Sequence, residues 1–217
     1  MQLLKHLKHF SNFATRVTAV VAVATLAAVP ASAQVFVDFD DLPMGGPIVS
    51  GSSFASGGVT IDVTGVGSGV TIMAPSPGFF GTSIEPTDPN VAYPNNVFMT
   101  FDLTSLPGGG ATAVGFDSFD QGGTVDLSIN GVATGQFNTY VDLHGTSLGA
   151  FDITGNQDLS STSGFLTETF VSGGGLITSF GVWGQETQYD DFRFRLVPEP
   201  ASLGLLAVGG LALVRRR

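Results

Sequence analysis

The chain has 217 residues, 18 acidic side chains against 8 basic ones, a net charge of −10 and no cysteine. Such a surface repels phosphate backbones and excludes nucleic-acid binding, and the missing thiols exclude cysteine nucleophiles and zinc–thiolate sites. The acidity is concentrated in the middle: only Arg193 and Arg195 among the basic residues lie between 34 and 197, and Glu199 is the one acidic residue outside that stretch. A body of this charge disfavours anionic lipid heads and is compatible with divalent cations and neutral glycans.

The N-terminus comes first. Lys5, Lys8 and Arg16 form a basic region, Val17 to Val29 an uncharged apolar run, and Ala31-Ser32-Ala33 a small-x-small cleavage site. These parts in this order predict a secretory signal peptide over residues 1–33, passed through the Sec translocon and cut by signal peptidase beside Ala31 and Ala33. The mature chain then begins at Gln34. A retained N-terminal anchor is the alternative.

Residues 34–197 suit one domain with its own core. Their period is two. Val59, Ile61 and Val63 alternate with Thr60, Asp62 and Thr64; Val97, Met99, Phe101 and Leu103 alternate with Phe98, Thr100 and Asp102. Val125, Leu127 and Ile129 follow the same rule, as do Phe192, Phe194 and Leu196 around Arg193 and Arg195. Each pattern predicts a strand with one apolar face. Asn130-Gly131 predicts a two-residue hairpin turn, since both residues tolerate positive φ. Ala74 to Asn96 holds Pro75, Pro77, Pro86, Pro89 and Pro94 and reads as a long surface loop. No segment of the body carries a helical stripe. Phe-Asp recurs, as at Phe101-Asp102 and Phe116-Asp117, with phenylalanine assigned to the core and aspartate to water. Short strands, many glycine turns and one domain's length predict an all-β fold, a single antiparallel β-sandwich of jelly-roll type.

Three sets of side chains are candidates for sites. Asp38, Asp40 and Asp41 near the start of the body and Asp190 and Asp191 near its end could meet around a Ca²⁺ ion, which takes six to eight oxygen ligands; ordinary solvated acids, with a link from Arg193 or Arg195 to a carboxylate, are the alternative. Trp183, Tyr189, Tyr140 and Tyr93 could form a flat platform for an extracellular polysaccharide, or could belong to the core. His144 is the only histidine of the body and sits in an expected turn, and no Gly-x-Ser-x-Gly elbow is present. The expectation is a protein without catalytic activity, with a small hydrolase built on His144 or paired carboxylates as the lesser alternative.

The C-terminus is the most specific stretch. Val197-Pro198-Glu199-Pro200 breaks regular structure, because proline lacks an N–H and restricts the residue before it. An uncharged run continues to Val214, about 21 Å as a helix at about 1.5 Å per residue, and Arg215, Arg216 and Arg217 close the chain. That run is short against the ~20 residues of a comfortable membrane span, and the arginines would remain cytoplasmic; a permanent C-terminal anchor and a buried core helix with a basic end are the alternatives to a processed signal. Residues 198–217 resemble the PEP-CTERM sorting signal. The resemblance implies a hydrophobic sorting helix, cleavage near Pro198-Glu199-Pro200 by an exosortase, and delivery through an inner-membrane intermediate to the cell surface or extracellular matrix.

A second resemblance concerns the body. Val37-Asp38-Phe39-Asp40-Asp41-Leu42-Pro43 with Gly57-Gly58-Val59-Thr60-Ile61 is similar to the opening of many exported bacterial β-sandwiches. Val114-Gly115-Phe116-Asp117 and Tyr189-Asp190-Asp191-Phe192-Arg193-Phe194 are similar to a middle and a last strand of galactose-binding-like jelly rolls. These imply fold rather than function. The functional reading is an exported, non-catalytic envelope or exopolysaccharide-matrix protein, with an extracellular carbohydrate-binding module, Ca²⁺-stabilised or not, as the alternative.

Overall fold

A computed structural model of the chain describes residues 33–74, 90–120, 123–157 and 166–197. The expected signal peptide, with Ala31, and the expected sorting helix, with Pro198, Glu199, Pro200 and Arg215 to Arg217, lie outside the described residues. Ala33–Val197 forms one compact unit. Among the described residues no helix is long and apolar enough to cross a membrane.

The fold is all-β and antiparallel. Its strands in chain order are β1 (Gln34–Val37), β2 (Ser53–Ser56), β3 (Val59–Met73), β4 (Val91–Asp102), β5 (Ala111–Asp120) and β6 (Val125–Ile129). There follow β7 (Val132–Ala133), β8 (Thr146–Leu148), β9 (Phe151–Gln157), β10 (Leu166–Ile177), β11 (Ser179–Gly184) and β12 (Thr187–Leu196). A 3-10 turn spans Tyr140–Leu143. One branch of the sheet runs β2-β3-β4-β11-β6-β7, the other β1-β12-β5-β10-β9-β8. They are joined where Tyr189 of β12 pairs with Ala92 of β4.

Alternation explains the strands. Val59, Ile61 and Val63 are fully buried while Thr60, Asp62 and Thr64 face water. Val97, Met99 and Phe101 of β4 point inwards, as do Val125, Leu127 and Ile129 of β6 and Phe192, Phe194 and Leu196 of β12. The inner faces of the two branches share one core. Phe101 of β4 lies 4.4 Å, ring centroid to ring centroid, from Phe192 of β12. Phe180 of β11 lies 5.7 Å from Phe116 of β5. The Asn130-Gly131 hairpin forms as expected, with φ of 51° and 78° and Ile129 opposite Val132.

Two features depart from the expected pattern. Strand β4 begins at Val91 and includes Pro94, opposite Val70 of β3, so the proline-rich stretch is a loop only up to Asn90 at most. A proline is tolerated in a strand where its N–H is not needed, and β11 stops pairing at Val97, leaving this part of β4 only the Tyr189–Ala92 pair on that edge. Strand β12 carries a β-bulge. Asp190 faces Asp117 and Arg193 faces Gly115, with one extra residue on β12 and Asp191 at φ 51°. A bulge switches which parity points inwards, so Tyr189 and Phe192, three apart, are both core residues.

The two ends of the unit lie side by side. The Leu196 N–H donates to the Ala33 carbonyl at 2.9 Å, and β1 pairs with β12 along its whole length. The outer edge of β1 is closed by the β2–β3 turn: a Cβ on Gly57 would collide with the Phe36 carbonyl oxygen.

Candidate functional site

The acidic residues near the start of the body are engaged in local structure. Asp38 accepts the Asp40 N–H at 3.2 Å. Asp41 accepts the Ser56 hydroxyl at 2.6 Å and the Gly57 N–H at 2.9 Å, tying the loop after β1 to the β2–β3 turn. Asp40 accepts the Asn90 N–H at 3.2 Å, and the Asn90 side chain donates to the Leu42 carbonyl at 3.1 Å. At the other end Asp190 is buried and accepts the Asp191 N–H at 2.8 Å. Phe39 and Phe192 pack edge to face at 6.0 Å, so the two acidic segments are neighbours. Among the described residues no group of three or more His, Asp or Glu side chains is arranged to hold a metal ion.

The aromatic candidates divide. Tyr140 and Tyr189 are 1% and 0% exposed, which removes both from any sugar platform. One hydroxyl donates to the other at 2.9 Å, and the remaining proton goes to a backbone carbonyl, that of Asp126 lying 2.9 Å from the Tyr140 hydroxyl and that of Trp183 2.9 Å from the Tyr189 hydroxyl. The bulge at Asp191 is what turns Tyr189 inwards, a reversal that period-two reading cannot anticipate. Trp183 and Tyr93 are half-buried. Trp183 sits on the outer face, opposite Phe98 of β4 and Asp126 of β6. Phe98 is also half-buried and was not singled out, because its alternation with Val97 marks only its face. The exposed His144 ring engages Nδ1 with the Gly155 carbonyl at 3.0 Å.

The expected link from Arg193 to a carboxylate is present, on the outer face of the other branch. The Arg193 guanidinium contacts Asp117 of β5 at 2.7 Å and Glu168 of β10 at 3.2 Å. Asp117 and Glu168 are directly opposite each other, a fact carried by register and not by local sequence. Burial pushes the Asp117 carboxyl from the usual 3.8 up to about 6; Arg193 opposes the shift, while Asp191 and Glu168 add to it.

The raised value has a consequence for stability. A carboxyl that binds its proton more tightly in the folded state contributes stability below its unfolded pKa and loses it as pH rises through the folded one. Between about pH 4 and pH 6 Asp117 therefore opposes folding increasingly. Asp117→Asn should remove this slope. In urea unfolding at a series of pH values, the variant should gain on the parent as pH rises from 4 to 7. A constant gap across that window would contradict the assignment.

The described residues thus define an antiparallel β protein whose first and last strands are adjacent, with the tail following directly from β12. The family model of the PEP-CTERM protein-sorting motif matches residues 196–217, so the chain carries that sorting motif. The match begins at Leu196, inside β12. Comparisons with curated proteins and with solved structures found no significant match.

Proposed function

We propose that the chain is an exported, non-catalytic structural protein of the cell envelope or of an extracellular polysaccharide matrix. The observation that carries this reading is the sorting motif at 196–217. In this reading the signal peptide over 1–33 engages the Sec translocon and signal peptidase, and an exosortase acts at Pro198-Glu199-Pro200. The body reaches the surface as a jelly-roll-like β-sandwich. A cysteine-free domain suits that destination, since its core of interlocked phenylalanines gives stability independent of the redox state outside the cell.

The test is deletion of Leu203 to Arg217. The truncated protein should lose its surface or matrix location and accumulate elsewhere, by fractionation and surface labelling of intact cells. Unchanged surface display would sink the sorting reading.

A further inference from the structure

The outer face of the second branch carries a row of flat side chains running across the strands. Phe36 of β1 lies opposite Arg193 of β12, Arg193 opposite Gly115 of β5, Gly115 opposite Phe170 of β10, and Phe170 opposite Thr154 of β9. Phe36 is 51% and Phe170 40% exposed. The missing side chain at Gly115 lets two groups converge: a Cβ there would lie 3.3 Å from the Phe170 ring and 3.6 Å from Arg193 Nε. Phenyl, guanidinium and phenyl therefore lie in one row across the sheet. From Phe36 to Phe170 it crosses three strand spacings, about 14 Å at about 4.8 Å each.

Polar rows flank the strip on both sides. Gln34, Arg195, Ser172 and Asp152 occupy the neighbouring positions on one side, with Ala113 between them. Asp117, Glu168 and Asn156 occupy the other. Arg193 is held through Nη2 by its two carboxylate partners.

We propose that this face is a binding track for a single strand of uncharged polysaccharide, laid across β1, β12, β5 and β10 over Phe36, Arg193, Gly115 and Phe170. The shape selects the ligand. The apolar strip is one residue wide and several strands long, with hydrogen-bonding groups on both edges. This matches an extended chain whose rings present apolar faces and polar rims. A globular partner would need about 800 Å² of broad contact. Charge narrows the class further. Asp117, Glu168 and Asp152 outnumber Arg193 and Arg195 on this face, so an acidic glycan or a lipid headgroup is disfavoured. A second copy of the chain meets the same repulsion, since strong net charge keeps proteins apart. The proposal does not depend on the sorting route, because the track belongs to the folded body.

The test is native affinity electrophoresis of the exported protein in gels containing laminarin, dextran or galactomannan, with alginate as the acidic comparison. At least one neutral polymer should retard the protein. Phe36→Ala and Phe170→Ala should each weaken the apparent Kd about tenfold or more, or about 1.4 kcal/mol, with Tm unchanged. Phe170→Tyr, which keeps the ring, should still bind, and Trp183→Ala, on the opposite branch, should bind as the parent does. The proposal is overturned if no neutral polymer retards the protein, if alginate alone does, or if the double alanine variant is retarded like the parent.

Discussion

Phe192→Ala should remove about 3–5 kcal/mol of stability, the usual cost of deleting a buried phenylalanine. Phe192 is fully buried. Its ring lies 4.4 Å from Phe101, stacks on Phe116 at 5.3 Å with 15° between planes, and meets Phe39 edge to face at 6.0 Å. Those neighbours come from β4, from β5 and from the loop after β1, so one truncation loosens both branches at once. A domain holds about 5–15 kcal/mol in total, and the variant should unfold at a much lower urea midpoint. Phe36→Ala is the internal control: its ring is half exposed and its loss should barely move the midpoint. A Phe192→Ala shift as small as that of Phe36→Ala would mean that the two inner faces do not meet on this ring.

Gly57→Ala should be the second large loss, for a different reason. Gly57 sits at φ 56°, where a side chain costs about 1–2 kcal/mol per residue. A Cβ there would also collide with the Phe36 carbonyl, so β1 or the turn must move. Movement pulls on the hydrogen bonds that Asp41 makes to Ser56 and to the Gly57 N–H. The expected result is a fall in stability beyond the conformational cost alone, with hydrogen exchange accelerated in β1 and the β2–β3 turn before the rest of the sheet. Gly58→Ala provides the comparison. It has a similar positive φ of 76° but open space around it, so it should show only the conformational cost. Equal losses at both positions would remove the packing argument.

The strands were legible in the sequence wherever one face is buried and the other wet, because period two then appears in the residues themselves. Val59 to Thr64 and Val97 to Asp102 are the clearest cases. The Asn130-Gly131 turn was legible because its backbone angles demand those residue types. What stayed hidden depends on register. The bulge at Asp191 shifts β12 by one position, and this places Tyr189 in the core although its neighbours in sequence suggest otherwise. Pro94 suggested a loop, yet strand partners on one edge of β4 tolerate it. The acidic runs suggested an ion site, but their side chains cap backbone groups in the loop after β1 and in the bulge. The Phe36–Arg193–Gly115–Phe170 row joins residues distant in the chain, and only the pairing of four strands brings them into line. The sorting tail is the opposite case, since its three parts are contiguous and need no fold to be read.

The bond between Ala33 and Leu196 orders events in time. Strand β1 is the first of the body to be synthesised, and its partner β12 is the last. Until Leu196 has emerged, β1 has no ladder to join, and Phe39 waits for Phe192 to complete its packing. The intervening strands can pair as they appear, but the closing step spans nearly the whole body, which makes it a slow, non-local contact. Completion of the domain is therefore synchronised with the arrival of the tail that begins at the same residue. The folded state itself reports that synthesis of the body has finished.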